Sequence, residues 1–79
     1  MDLQTYKFGF LEFEFCEEFM EPDKCEFTET RIINGFGSVK NGTRWMRVII
    51  YNSGKIEFFK HDEDTHPIHS LKYEVILNQ

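Results

Sequence analysis

The chain reads as an all-β protein: a small, strongly curved antiparallel sheet or barrel of five to six short strands, with at most one helical turn near 16–24. Three observations carry that reading. Aromatic residues make up 16% of the chain, as nine Phe, three Tyr and one Trp, and with the β-branched residues they suit a pleated, half-buried surface. Apolar and polar residues alternate with period two over several short stretches, the spacing of strands rather than helices. Turn formers, above all Asn41-Gly42 and Asn52-Ser53-Gly54, separate those stretches.

Taken in order, Tyr6, Phe8 and Phe10 alternate with Lys7 and Gly9, and then Leu11, Phe13 and Phe15 alternate with Glu12 and Glu14. The apolar parity flips between Phe10 and Leu11. A bulge near Gly9 that bends one continuous strand absorbs the flip; without a bulge the strand is buried on both faces. Residues 16–24 break the alternation, and Pro22 disfavours a helical conformation at Glu21, which limits any helix to a single turn. Residues 25–33 return to strand through Thr28, Thr30, Ile32 and Ile33, and Asn34-Gly35-Phe36-Gly37 is a turn or a kinked strand start.

Asn41-Gly42 predicts a two-residue type I′ hairpin turn pairing Lys40 with Thr43. Asn52-Ser53-Gly54 predicts a three-residue loop with Gly54 left-handed, pairing Ile50 with Ile56 and Val48 with Phe58. One face of that hairpin then carries Met46, Val48, Ile50, Ile56 and Phe58. The other carries Trp45, Arg47, Ile49, Tyr51, Lys55, Glu57 and Phe59. Residues 61–69 are polar and turn-like, and a last strand points Leu71, Tyr73, Val75 and Leu77 inward with Lys72 and Glu74 outward.

Seventy-nine residues form one domain, 1–79, because two would each be too small for a core. Its aromatics are enough to fold it without metal or disulfide staples. No apolar run approaches the ~20 residues of a membrane-spanning helix. The first residues lack the basic start and apolar stretch of a secretory signal. The expected location is the cytoplasm, or the host cytoplasm for a viral protein, with Cys16 and Cys25 as reduced thiols.

Charge is unevenly spread. Residues 1–30 hold two cations against nine carboxylates, a balance of −7, and residues 31–79 hold seven against five, a balance of +2, giving the net −5. Such a field selects partners and speeds encounter. One reading of the acidic segment is a solvated face that keeps a small β protein from pairing at its edges. The sharper reading is an acidic docking surface made of Glu12, Glu14, Glu17, Glu18, Glu21, Asp23, Glu26 and Glu29, with Phe19 and Met20 either as apolar anchors or as core residues capping an open sheet end. Such a surface would occupy the Lys/Arg track with which a basic, nucleic-acid-handling protein holds phosphates. The functional expectation is therefore a non-catalytic intracellular binding protein. By analogy it would be a small acidic inhibitor and nucleic-acid mimic such as bacteriophages encode, anti-CRISPR and anti-restriction proteins included.

Two alternatives belong to other classes. Trp45, Arg47, Tyr51, Lys55 and Phe59, with Lys40 and Arg44, could stack bases and neutralise phosphates of single-stranded nucleic acid, although an acidic chain disfavours nucleic acid as partner. Trp45, Ile49 and Phe59 could instead be covered in a homodimer. Gly35-Phe36-Gly37-Ser38-Val39 faintly resembles the Lys-Gly-Phe-Gly-Phe-Ile strand of cold-shock domains over five residues. It lacks the leading lysine and has Ser38 where an aromatic stacks, and the resemblance is not adopted.

His61, Asp62, Glu63, Asp64, His66 and His69 are the one cluster of potential metal ligands, but the spacing is a weak framework for zinc, and neither metal nor cofactor is expected. No motif sets Ser38, Ser53 or Ser70 beside a base, and no glycine-rich loop precedes a helix, so no enzymatic activity is expected.

Overall fold

A computed structural model describes residues 3–72, and all regular structure among them is strand. In chain order these are β1 (Gln4–Phe8), β2 (Leu11–Phe15), β3 (Glu17–Met20), β4 (Lys24–Asn34), β5 (Arg44–Tyr51), β6 (Lys55–Phe59) and β7 (His69–Lys72). They make one antiparallel sheet in the order β1-β2-β4-β5-β6-β7, with β3 paired to β4 off that path. The path has two ends, so the sheet is open and not a closed barrel. It has seven strands, more than the five to six expected, and residues 16–24 contain no helical turn. Glu17–Met20 lies instead along Cys25–Thr28 of β4, where a strand finds backbone partners that a lone helical turn would lack.

The parity flip at Phe10 is the mark of a tight hairpin, not of a bulge. Phe8 and Leu11 face each other across a Gly9-Phe10 turn, with Gly9 at φ 62°. A two-residue turn changes the parity along the chain while keeping Tyr6, Phe8, Leu11, Phe13 and Phe15 on one face. Phe10 sits exposed at the tip.

The β5–β6 hairpin forms as expected, with Ile50 opposite Ile56 and Val48 opposite Phe58. Gly54 has φ 94° and its N–H donates to the Tyr51 carbonyl at 2.9 Å. Asn41-Gly42 behaves differently. Thr43 N–H donates to the Lys40 carbonyl at 3.3 Å, but only Gly42 has positive φ, at 85°, whereas a type I′ turn needs it at both central residues. The turn is not a two-residue hairpin turn but one part of the longer 35–43 connection between β4 and β5. Phe36 and Val39 close their own turn around Gly37, and β5 pairs with β4. Gly35 is required here, because a Cβ would collide with the Val39 carbonyl oxygen.

The core joins Leu11, Phe13, Phe15, Phe27, Ile32, Val39, Trp45, Val48, Ile50, Ile56 and Phe58. Phe27 is its aromatic centre: Phe13 meets it edge-on at 5.0 Å, Phe15 at 4.9 Å, and Tyr6 of β1 lies 4.7 Å away. Each such pair adds about 0.5–1.5 kcal/mol beyond area burial.

A bend in the middle of the sheet decides which side chains reach that core. Glu29 has φ 50°, the left-handed region that L-residues avoid. Before it β4 buries Phe27; after it, Thr30 and Ile32. The face has switched by one residue. Opposite, β5 buries Val48 and Ile50 and then Trp45, the same switch across the same bend. Trp45 therefore packs in the core, 5.6 Å from Phe58, and not on the outer face with Arg47. Met46 is only half-buried. Leu71 packs against the core, while the expected positions of Tyr73, Glu74, Val75 and Leu77 lie outside the described residues.

Candidate partner-binding edge

β4 distributes the acidic segment. Its C-terminal half pairs with β2 and its N-terminal half with β3. On the β2 side, Glu14 lies opposite Arg31 and its Oε1 accepts from the guanidinium at 3.0 Å, while Glu12 lies directly across from Lys7. Glu26, in β4 itself, is 4.0 Å from the Arg47 guanidinium. Glu29 sits at the bend. The four are spread over the molecule, and Glu14 and Glu26 are paired with its own arginines.

Glu17, Glu18, Glu21 and Asp23 form a different group. They occupy β3 and the turn into β4, and none has a cationic partner among the described residues. Every residue of β3 is exposed. Alternation puts Glu17 and Phe19 on one face and Glu18 and Met20 on the other, so charge and apolar surface appear on both sides. Phe19 is 50% exposed and Met20 76%. Among the described residues, β4 is the one strand that pairs with it.

The corner is nevertheless ordered. Glu21 N–H donates to the Lys24 carbonyl at 2.9 Å. Asn52, in the β5–β6 turn, donates from its backbone to Asp23 and from its side chain to Pro22, both at 2.9 Å. The Cys25 thiol donates to Glu18 Oε2 at 3.4 Å. Burial, then this bond, then the charge of Glu18 push the Cys25 thiol up to about 11. The nearby Tyr6 hydroxyl is also raised, first by burial and then by Cys25 and Glu18. Cys16 and Cys25 are both free thiols.

The aromatic-basic face is assembled differently from a stacking platform. Trp45 and Phe59 are each only 6% exposed, and bases need open ring faces. Arg47 is committed to its own chain: it lies 4.3 Å over the Phe59 ring and donates to the Asp64 carbonyl at 2.9 Å. Tyr51 donates to Glu57 Oε1 at 2.7 Å, and its hydroxyl is pushed up to about 12 by burial, then by that bond and by the charges of Glu57, Asp23 and Glu26. Trp45, Ile49 and Phe59, the face expected to be covered by a second copy, are already buried within one chain.

The histidine loop closes on itself, with His61 N–H donating to Asp64 Oδ2 at 2.9 Å. No group of three or more His, Cys, Asp or Glu among the described residues is placed to hold a metal ion. One contact escaped the sequence reading: Ser38 Oγ lies 3.3 Å from His69 Nδ1, across 31 positions of chain. A hydroxyl beside an imidazole is half of a nucleophilic pair. Here no carboxylate orients the ring among the described residues, and its edge rests on Trp45 at 5.4 Å.

No helix among the described residues is long and apolar enough to cross a membrane. No protein-family model matches this chain, and neither a curated protein nor a solved structure does.

Proposed function

We propose that this protein is a non-catalytic binding protein that docks through β3 and the turn after it onto a positively charged surface of another protein, most simply one that handles nucleic acid. The observation that supports this is the concentration of Glu17, Glu18, Glu21 and Asp23 around exposed Phe19 and Met20, with no cation among the described residues answering them. On each face of β3 an exposed apolar side chain stands beside a carboxylate, a pairing that gives anchoring and steering together. Among the described residues β3 is also paired on one side only, leaving backbone groups to which a partner strand can add. Glu12, Glu14, Glu26 and Glu29 contribute only to the long-range field. The reading extends to an accessory inhibitor that covers a phosphate-binding track, in a reducing compartment where both thiols stay free.

The test is charge reversal on the partner captured from the native host. Glu17→Lys with Glu18→Lys should weaken binding far more than Asp62→Lys with Glu63→Lys, and binding should fall by at least about tenfold between low and ~0.5 M salt. Equal losses from the two pairs would reject the assignment. The nucleic-acid alternative predicts quenching of Trp45 by oligonucleotide at low salt, and the homodimer predicts twice the monomer mass by light scattering.

A further inference from the structure

A second site of opposite sign lies at the C-terminal half of β4. Arg31 and Arg44 are direct cross-strand partners, a position where side chains approach to about 5 Å and like charges repel. Glu14 answers Arg31 at 3.0 Å; nothing among the described residues answers the Arg44 guanidinium. Lys60 adds a third cation, with its ammonium donating to the Arg44 carbonyl at 3.0 Å and lying 5.2 Å over the Trp45 ring. All three cations line one cleft of about 580 Å³, within the ~300–1,000 Å³ of small-molecule sites. Glu29 is in its wall, and a left-handed non-glycine residue is the kind of strain that gathers at ligand sites. Counting Glu14 and Glu29, the cleft carries one net positive charge on a chain of −5. Its polar rim is backed by Trp45 and Met46.

We propose that this cleft binds a compact organic anion, a phosphate monoester or a carboxylate, whose charged end sits between Arg44, Lys60 and the free N–H groups of Arg31. Its apolar body would rest toward Leu3 and Met46 in the lining. An anion there offsets the repulsion between the two cross-strand arginines, which Glu14 answers only at Arg31. The proposal does not depend on the acidic edge.

Phenyl phosphate and phenylacetate, titrated separately with benzyl alcohol as the neutral control, distinguish the two anion classes. The readouts are emission of Trp45, the only tryptophan, and amide shifts of residues 29–31, 44–46 and 60. One anion should bind saturably with a dissociation constant below about 1 mM, and benzyl alcohol should not. Arg44→Gln should weaken binding at least about tenfold while slightly raising the unfolding midpoint of the unliganded protein, and Lys7→Gln on β1 should leave binding unchanged. Absence of saturable binding by either anion, an equal response to benzyl alcohol, or unchanged affinity in Arg44→Gln would overturn the proposal.

Discussion

β2 and β3 pair with the two halves of the same strand, are built from the same mixture of glutamate and aromatic residues, and come to opposite ends. Leu11, Phe13 and Phe15 of β2 are buried, whereas every residue of β3 is exposed. The difference is in the neighbours. β2 lies between β1 and β4, and its aromatics meet Tyr6 and Phe27. β3 has β4 alone. The carboxylates divide in the same way: Glu14 of β2 finds Arg31, and Glu17 of β3 finds only Thr28 opposite. Composition therefore marks a segment as acidic and aromatic, but position in the sheet decides whether it serves stability or remains available to a partner.

The sharpest way to break this comparison is to truncate one aromatic from each strand. Phe13→Ala should cost about 3–5 kcal/mol in chemical denaturation, through lost transfer energy and the cavity left behind. Phe19→Ala should stay within about 0.5 kcal/mol of the parent, as exposed substitutions do. Comparable losses would mean that β3 is part of the core.

Cys25 probes whether the β3 corner is as ordered as the hydrogen bonds imply. With its thiol near 11 instead of 9.0, roughly a hundredfold less thiolate is present at pH 8 than for an ordinary cysteine. Alkylation by iodoacetamide should be correspondingly slow and should keep accelerating up to about pH 11. Glu18→Gln should speed it. The same shift affects stability. The unfolded chain gives up this proton at a lower pH than the folded one, so the contribution of Cys25 is intact below about pH 9 and disappears as pH rises through about 11. An alkylation rate of ordinary size at pH 8 would detach Glu18 from Cys25.

The bend separating the two halves of β4 gives a smaller effect. Left-handed geometry costs a non-glycine residue about 1–2 kcal/mol, and glycine returns part of that gain through its greater unfolded-state freedom, about 0.5–1 kcal/mol. Glu29→Gly should therefore stabilise by about 0.5–1 kcal/mol in thermal or denaturant melts. Smallest of all, Arg31→Gln should cost no more than about 1 kcal/mol, because its ion pair with Glu14 is half exposed. The loss should shrink in high salt.

The β5–β6 hairpin was legible because everything it needs is local: Gly54 at the left-handed position and apolar residues at matching distances on both sides. Local pattern was ambiguous at Gly9-Phe10, since a bulge and a two-residue turn both shift the parity by one. It misleads at Asn41-Gly42, where Ile32, nine residues before the turn, takes up the Gly42 N–H and the Thr43 carbonyl in place of the residues just before Asn41. Alternation alone puts Trp45 on the outer face, because the switch at Glu29 leaves no trace in the pattern of β5. The acidic segment was visible as a run of carboxylates, but not its division into answered and unanswered charges. Arg31, Arg44 and Lys60 drew no attention as a group, being scattered along 30 residues.

From the residues alone follow the all-strand class, the hairpin around Gly54 and an acidic front third, because alternation, turn chemistry and charge are properties of neighbours in the chain. Which glutamates are matched, which aromatics are covered and where three cations converge were settled only by packing. Those outcomes depend on the register between strands and on one left-handed residue in β4. Both are chosen by contacts between residues far apart in sequence, whose energies no short window contains.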